Sequence, residues 1–131
     1  MNTPDPHQSG TASSLKGERG IARVLKATGY SMMGLKTAFL NEAAFRQLVL
    51  INVILQPIAL TLDVTRAERA ILMLVPLLSL AIELLNTAIE NVVDRVSLDL
   101  HPLSKNAKDL GSAAQFVGLV MIAVAWAVVL I

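Results

Sequence analysis

Glu83, Asn86, Glu90 and Asp94 lie 3, 4 and 4 positions apart in AIELLNTAIENVVDRV (81–96), where an apolar run gives way to polar sequence. At about 3.6 residues per turn they form one stripe down one helix face. Carboxylates and a carboxamide so arranged can accept a proton, hold a cation or bond a polar ligand. An ionised carboxylate in hydrocarbon costs at least about 2.5–3.5 kcal/mol on insertion scales, so such residues usually face protein and carry a function. Desolvation disfavours the charged form of a carboxyl, which makes Glu83 the residue expected to abstract a proton near neutral pH. The competing role for polar residues in a span is to hold helices together by hydrogen bonds. Asn86 or Thr87 alone is open to that role; two glutamates around an asparagine favour chemistry or ion handling.

A second acidic residue, Glu42, lies in FLNEAAFRQ (39–47). Two carboxylates from different helices at one depth, Glu42 and Glu90, could hold Mg²⁺, which prefers hard oxygen ligands and keeps waters and substrate phosphates. Glu42 could equally pair with Arg46 at i+4. The polar stretch DRVSLDLHPLSKNAKD (94–109) offers His101, Lys105, Lys108 and Asp109. Lys108 suits a bound phosphate or plain solvation, and His101-Pro102 reads as a turn with a structural histidine. There is no GxxxxGKS or GxxxxGKT and no protein-kinase signature, so any nucleotide site is of another type.

The elements that must position these groups are helical and greasy. The chain has 131 residues, which fits one domain, and it is 54% hydrophobic and 16% charged. Soluble domains run about 45–50% apolar and about 25% charged, so the expectation is an all-α membrane protein. Cysteine is absent, which excludes disulfides and thiolate metal sites. No short apolar run with a small-residue cleavage site opens the chain, so no cleaved signal peptide is expected. Residues 1–17, rich in Pro, Gly, Ser and Thr, read as a disordered tail. A single membrane domain over 18–131 follows. Its segment 18–36 is a basic amphipathic helix of the kind that lies in a membrane interface. Spans are expected at 44–62, 70–93 and 110–131, each near the roughly 20 residues that cross a core about 30 Å thick. Asn52, Gln56 and Pro57 make the first imperfect; the third has no charge.

Lysine and arginine set the orientation. Lys16, Arg19, Arg23, Lys26, Lys36 and Arg46 precede or open the first span, and Arg95, Lys105 and Lys108 lie between the second and third. This bias puts the N-terminus and the 94–109 loop in the cytoplasm, so the acidic stripe occupies the cytoplasmic half of span two. Glu90 falls near the inner boundary, with Glu83 about 10 Å deeper at 1.5 Å per residue. Trp126 fits an interfacial anchor or a packing contact. Gly111, Ala114, Gly118, Ala123 and Ala127 suit close helix packing and oligomerisation. An ion-translocating or transporter subunit is the other class compatible with membrane-embedded glutamates, but its site would sit nearer the midplane.

GYSMMGLKTAFLNEAAFRQ (29–47), ELLNTAIENVVDRV (83–96) and AKDLGSAA (107–114) resemble the prokaryotic diacylglycerol kinase family, over nearly everything from about 20 to 131. The family's two main branches act on diacylglycerol and on undecaprenol, and NEAAFRQ and KDLGSAA look like the diacylglycerol branch of Gram-negative bacteria. The resemblance implies a homotrimer in the bacterial inner membrane, each protomer with a surface helix and three transmembrane helices. It implies transfer of the γ-phosphate of MgATP to the hydroxyl of diacylglycerol, and no nucleic-acid partner. By motif, Glu83 would be the general base, with Asn86 close to the reacting groups, and Glu42 and Glu90 would hold magnesium. Arg23, Tyr30, the Asp99–Leu100–His101 stretch, Lys108 and Asp109 match ATP contacts. Arg23, Ser31, Lys36, Phe45, Arg46, Gln47, Arg69, Glu83 and Ser112 would line the lipid site. Leu48, Thr28, Met32 and Phe39 depart from the residues common in close relatives.

Overall fold

A computed structural model describes residues 20–131; the expected tail over 1–17, and Lys16 and Arg19, lie outside the described residues. Among the described residues there are four α-helices and no strand: α1 (Ile21–Asn41), α2 (Ala43–Thr61), α3 (Arg66–Val96) and α4 (Pro102–Leu130). The chain divides into two compact units, Met1–Thr37 and Ala38–Ile131. The described part of the first is helical from Ile21, and its residues are exposed.

In the second unit α3 packs against both α2 and α4. The connections, residues 62–65 and 97–101, are short enough to make each pair antiparallel. Helices α2, α3 and α4 are each long and apolar enough to cross a membrane. Many large apolar side chains on them are exposed, Leu50, Leu74, Leu85, Phe116 and Val124 among them. In a bilayer such faces meet acyl chains, and helices can face lipid because they satisfy their backbone groups internally.

The first expected span agrees with α2 to within a residue. The 94–109 loop does not stand: α3 continues through Val96 and α4 begins at Pro102, leaving 97–101 as the connection. Hydropathy marks where hydrocarbon ends, whereas a helix runs on wherever its backbone stays bonded. His101-Pro102 is accordingly a helix start rather than a free turn. His101 Nδ1 accepts from the Leu103 N–H at 3.1 Å, and Pro102 takes the first helical position, where a missing N–H costs nothing. The other end of α3 is fixed by a capping box. Thr65 Oγ1 accepts from the Glu68 N–H while the Glu68 carboxylate accepts from the Thr65 N–H, satisfying two orphan donors reciprocally.

Candidate active site

The buried face of α3 is Leu72, Pro76, Ser79, Glu83 and Asn86, a 4-3-4-3 spacing that keeps one side of the helix turned inward. Glu83 is 4% exposed, so its carboxyl faces protein rather than acyl chains. Glu90 is half-buried and Asp94 exposed, and the stripe thus emerges from the core toward the 97–101 connection. Asn86 Nδ2 donates to Glu90 Oε1 at 3.3 Å, tying two members of the stripe together.

Glu42 sits at the break between α1 and α2. Its backbone is extended (φ −107°, ψ 113°) and its side chain makes no capping bond, which leaves the carboxylate available to the site. Arg46 does not spend itself on Glu42. Its Nη1 donates to Phe39 O at 3.0 Å and Leu40 O at 3.1 Å, carbonyls that the end of α1 leaves without helical donors. The Glu83 carboxyl lies within electrostatic range of both Glu90 and Glu42. Among the described residues no group of three or more histidine, cysteine or acid side chains is arranged to hold a metal ion.

Beside the stripe, a cavity of about 650 Å³ opens between the end of α3 and the start of α4. Asp94, Asp99, His101, Lys105, Lys108 and Asp109 supply its polar lining. Lys108 Nζ pairs with Asp94 Oδ1 at 2.6 Å and also feels Glu90; Lys105 pairs with Asp109. The cavity therefore carries two lysines paired with partly exposed acids, which a polyanion could displace.

The other expected site residues are spread more widely. Arg23, Tyr30, Ser31 and Lys36 are exposed residues of α1 in the N-terminal unit, with Ser31 Oγ bonded to Ala27 O. Leu100, Gln47 and Ser112 are exposed. Phe45 is buried to 4% exposure and packs within the unit. Arg69 is not brought to the acidic cluster. It lies 14 positions before Glu83, about 21 Å along a helix, and donates to Leu60 O at 2.6 Å and Leu62 O at 2.9 Å. Those bonds close the C-terminal end of α2.

Several residues that matter here carry little sequence signal. Asn52 and Gln56, read as flaws in a span, hold α2 to α3. Asn52 Nδ2 donates to Pro76 O and Gln56 Nε2 to Met73 O. Gln115 Nε2 donates to Ser79 Oγ at 3.0 Å, one turn from Glu83. Gly111 and Gly118, expected to mediate oligomerisation, face α3 of the same chain, against Asn86 and against Ser79 and Ile82.

The profile of the prokaryotic diacylglycerol kinase family matches residues 29–130, all but the last residue of this unit and the end of the preceding one. The chain belongs to that family. It is 62% identical to the diacylglycerol kinase of Pseudomonas aeruginosa over 119 residues, 91% of this chain and 97% of that protein. It is 42% identical to the diacylglycerol kinase of Escherichia coli over 111 residues, covering 85% and 91%. The Haemophilus influenzae diacylglycerol kinase is 42% identical over 107 residues, covering 82% and 91%. Membership favours a membrane-embedded lipid kinase over the ion-translocating class, and kinase chemistry requires a nucleotide.

Proposed function

We propose that the chain transfers the γ-phosphate of ATP to the free hydroxyl of diacylglycerol, giving phosphatidic acid, at the cytoplasmic face of a bacterial inner membrane. The observation that carries this reading is the position of Glu83. It is a buried carboxyl within the field of Glu42 and Glu90, on the helix whose C-terminal end lines an open cavity carrying Asp94 and Lys108. A soluble nucleotide and an alcohol anchored in lipid can meet only where the membrane surface and protein interior adjoin.

In this reading Glu83 takes the hydroxyl proton as the alcohol oxygen bonds to the γ-phosphorus and the bond to the β–γ bridging oxygen breaks, releasing ADP. Phosphoryl transfer is otherwise a matter of positioning and charge neutralisation. Glu42 and Glu90 would hold Mg²⁺, which neutralises phosphate charge. Lys108, with Asp99, Leu100, His101 and Asp109, serves the nucleotide from the cavity. Arg23 and Tyr30, in the N-terminal unit, keep the nucleotide role that the family resemblance implies. Ser31, Lys36, Phe45, Arg46, Gln47 and Ser112 are assigned to the lipid side, with α1 lying in the interface as a surface helix. Arg69, occupied with α2 carbonyls, is assigned to structure instead. Asn86 keeps Glu90 in register with Glu83. The working unit is a homotrimer of a single kinase domain, 18–131, with the N-terminus and the α3–α4 connection cytoplasmic.

The test is ATP-dependent phosphorylation by purified protein in diacylglycerol-containing micelles or vesicles. Glu83→Gln should keep nucleotide affinity and lose about 10²–10⁴-fold in kcat, the usual contribution of a general base. Substantial turnover in that variant would remove Glu83 from the role. Undecaprenol presented side by side should be the poorer substrate.

A further inference from the structure

Asn86 has an unexplained half. Its Nδ2 reaches Glu90 Oε1, but its Oδ1 is buried without a hydrogen-bond partner. An orphaned buried carbonyl costs about 1–3 kcal/mol when nothing compensates it, so its surroundings should show what holds it there. They do: Oδ1 points at Gly111 on α4, along the direction a side chain would take. A Cβ built on Gly111 would overlap that oxygen far inside van der Waals contact, and would also touch Asn86 Cγ at 3.2 Å. Gly111 is itself buried in the α3–α4 contact, so a methyl group there has room only where the Asn86 carboxamide now lies. The absent side chain is the slot in which the Asn86 carboxamide sits, and the glycine Cα–H is directed at Oδ1 as a weak donor. The reverse amide orientation would set the carbonyl against the Glu90 carboxylate, two acceptors face to face.

We propose that Gly111 is a positioning residue for the phosphoryl transfer, acting through Asn86 to aim the Glu90 carboxylate at the nucleotide end of the site. This rests on the assignment of Glu90 to the nucleotide given above. The consequence is specific. A methyl group at 111 displaces the Asn86 carboxamide, the Nδ2 bond to Glu90 is lost, and Glu90 turns freely. Nucleotide affinity then falls while the diacylglycerol side of the site is untouched.

The experiment is a double-mutant cycle on the full chain in micelles, with Gly111→Ala, Asn86→Ala and the pair. Three readouts are taken: the ¹⁵N side-chain amide resonance of Asn86, the Kd for the Mg²⁺ complex of β,γ-imido-ATP, and the KM for diacylglycerol. Gly111→Ala is expected to shift the Asn86 amide resonance without nucleotide present, to weaken analogue binding at least tenfold, and to leave the diacylglycerol KM within twofold. In the Asn86→Ala background, where the overlap partner is gone, adding Gly111→Ala should change Kd by less than twofold. An unmoved Asn86 resonance in Gly111→Ala, or an equal loss of affinity in both backgrounds, overturns the proposal. If Gly111→Ala alone gives no helical protein, the pair should restore it; failure to do so also overturns it. Glu90→Gln separates this from the assignment beneath it. Unchanged analogue affinity in that variant removes Glu90 from the nucleotide, whereas the amide shift still reports whether Gly111 sets Asn86.

Discussion

Asn52 on α2 donates its amide to the carbonyl of Pro76 on α3 across 3.0 Å of the helix interface, and to Leu48 O on its own helix. Pro76 has no N–H for the Leu72 carbonyl, so α3 is weakest at this turn, and Gln56 supports it from one turn away through Met73 O. Replacing Asn52 by Leu keeps its bulk and removes both bonds. The expected cost is about 0.6–1.7 kcal/mol, the range measured for hydrogen bonds between membrane helices, read as a lower midpoint of unfolding in mixed micelles. Because the acidic cluster is more than a turn away on α3, kcat should stay within about threefold at temperatures where the variant remains folded. An unchanged midpoint would show that the pair contributes nothing to stability.

Arg69 gives a sharper choice. The family resemblance places it at the lipid, whereas its guanidinium bonds Leu60 O and Leu62 O at the far end of α3. Arg69→Ala leaves the Leu60 carbonyl of α2 and the Leu62 carbonyl just beyond it without the Arg69 donor, and hydrogen bonds to charged groups are worth about 1.5–3 kcal/mol each when buried, less here because Arg69 is partly exposed. A stability loss of about 1–2 kcal/mol is therefore expected, with KM for diacylglycerol changed less than twofold. A large rise in KM with normal stability would return Arg69 to the substrate.

Lys108 and Asp94, paired at 2.6 Å, are each close to half exposed. Exposed ion pairs are worth about 0–1 kcal/mol, so the pair holds the lysine in place more than it holds the fold. Asp94→Asn should leave the unfolding midpoint nearly unchanged. Lys108→Ala, by contrast, should raise KM for MgATP about tenfold at low salt, because it removes a cation from the cavity proposed to receive the polyphosphate. That difference should shrink between 0.05 and 0.5 M salt as screening shortens to a few ångströms, by roughly the scaling of the Debye length. Kinetics at two ionic strengths decide it.

Periodicity made the core of the site legible, because Glu83 and Asn86 share a face with Ser79 and Pro76 and burial follows the helical repeat. Glu42 was legible as an acid near the same boundary, but its alternatives were open. The same 3.6-residue pattern runs through α1 and α2, and nothing in it marks the break at Glu42 that diverts Arg46 to the Phe39 and Leu40 carbonyls. The polar stretch 94–109 looked like a loop because hydropathy reports the solvent and not the backbone. Its Pro102 and His101 were helix-start signals in plain view. Gly111 and Gly118 announced close approach correctly, yet spacing alone does not say whether the neighbour is another chain or another helix of this one. Asn52 and Gln56 were seen only as polar interruptions, since the carbonyls they serve lie 17 and 24 residues away.

Under the proposed function Glu42, Glu83 and Glu90 should not respond alike to magnesium. In the proposed function Glu42 and Glu90 would each be one ligand among several, in a shell made mostly of waters and phosphate oxygens. Loss of one should weaken metal binding without abolishing the chemistry. Glu42→Gln and Glu90→Gln are therefore expected to raise the free Mg²⁺ needed for half-maximal rate by about 10–100-fold, the usual scale for losing one supporting group of a metal site, and saturating Mg²⁺ should recover much of kcat. Glu83→Gln loses the proton acceptor instead, and no concentration of Mg²⁺ restores it. Titrating the three variants with Mg²⁺ at fixed ATP separates the roles. Full recovery of Glu83→Gln by metal would make Glu83 a ligand, and failure of Glu42→Gln to respond would return Glu42 to a purely local part at the α1–α2 break.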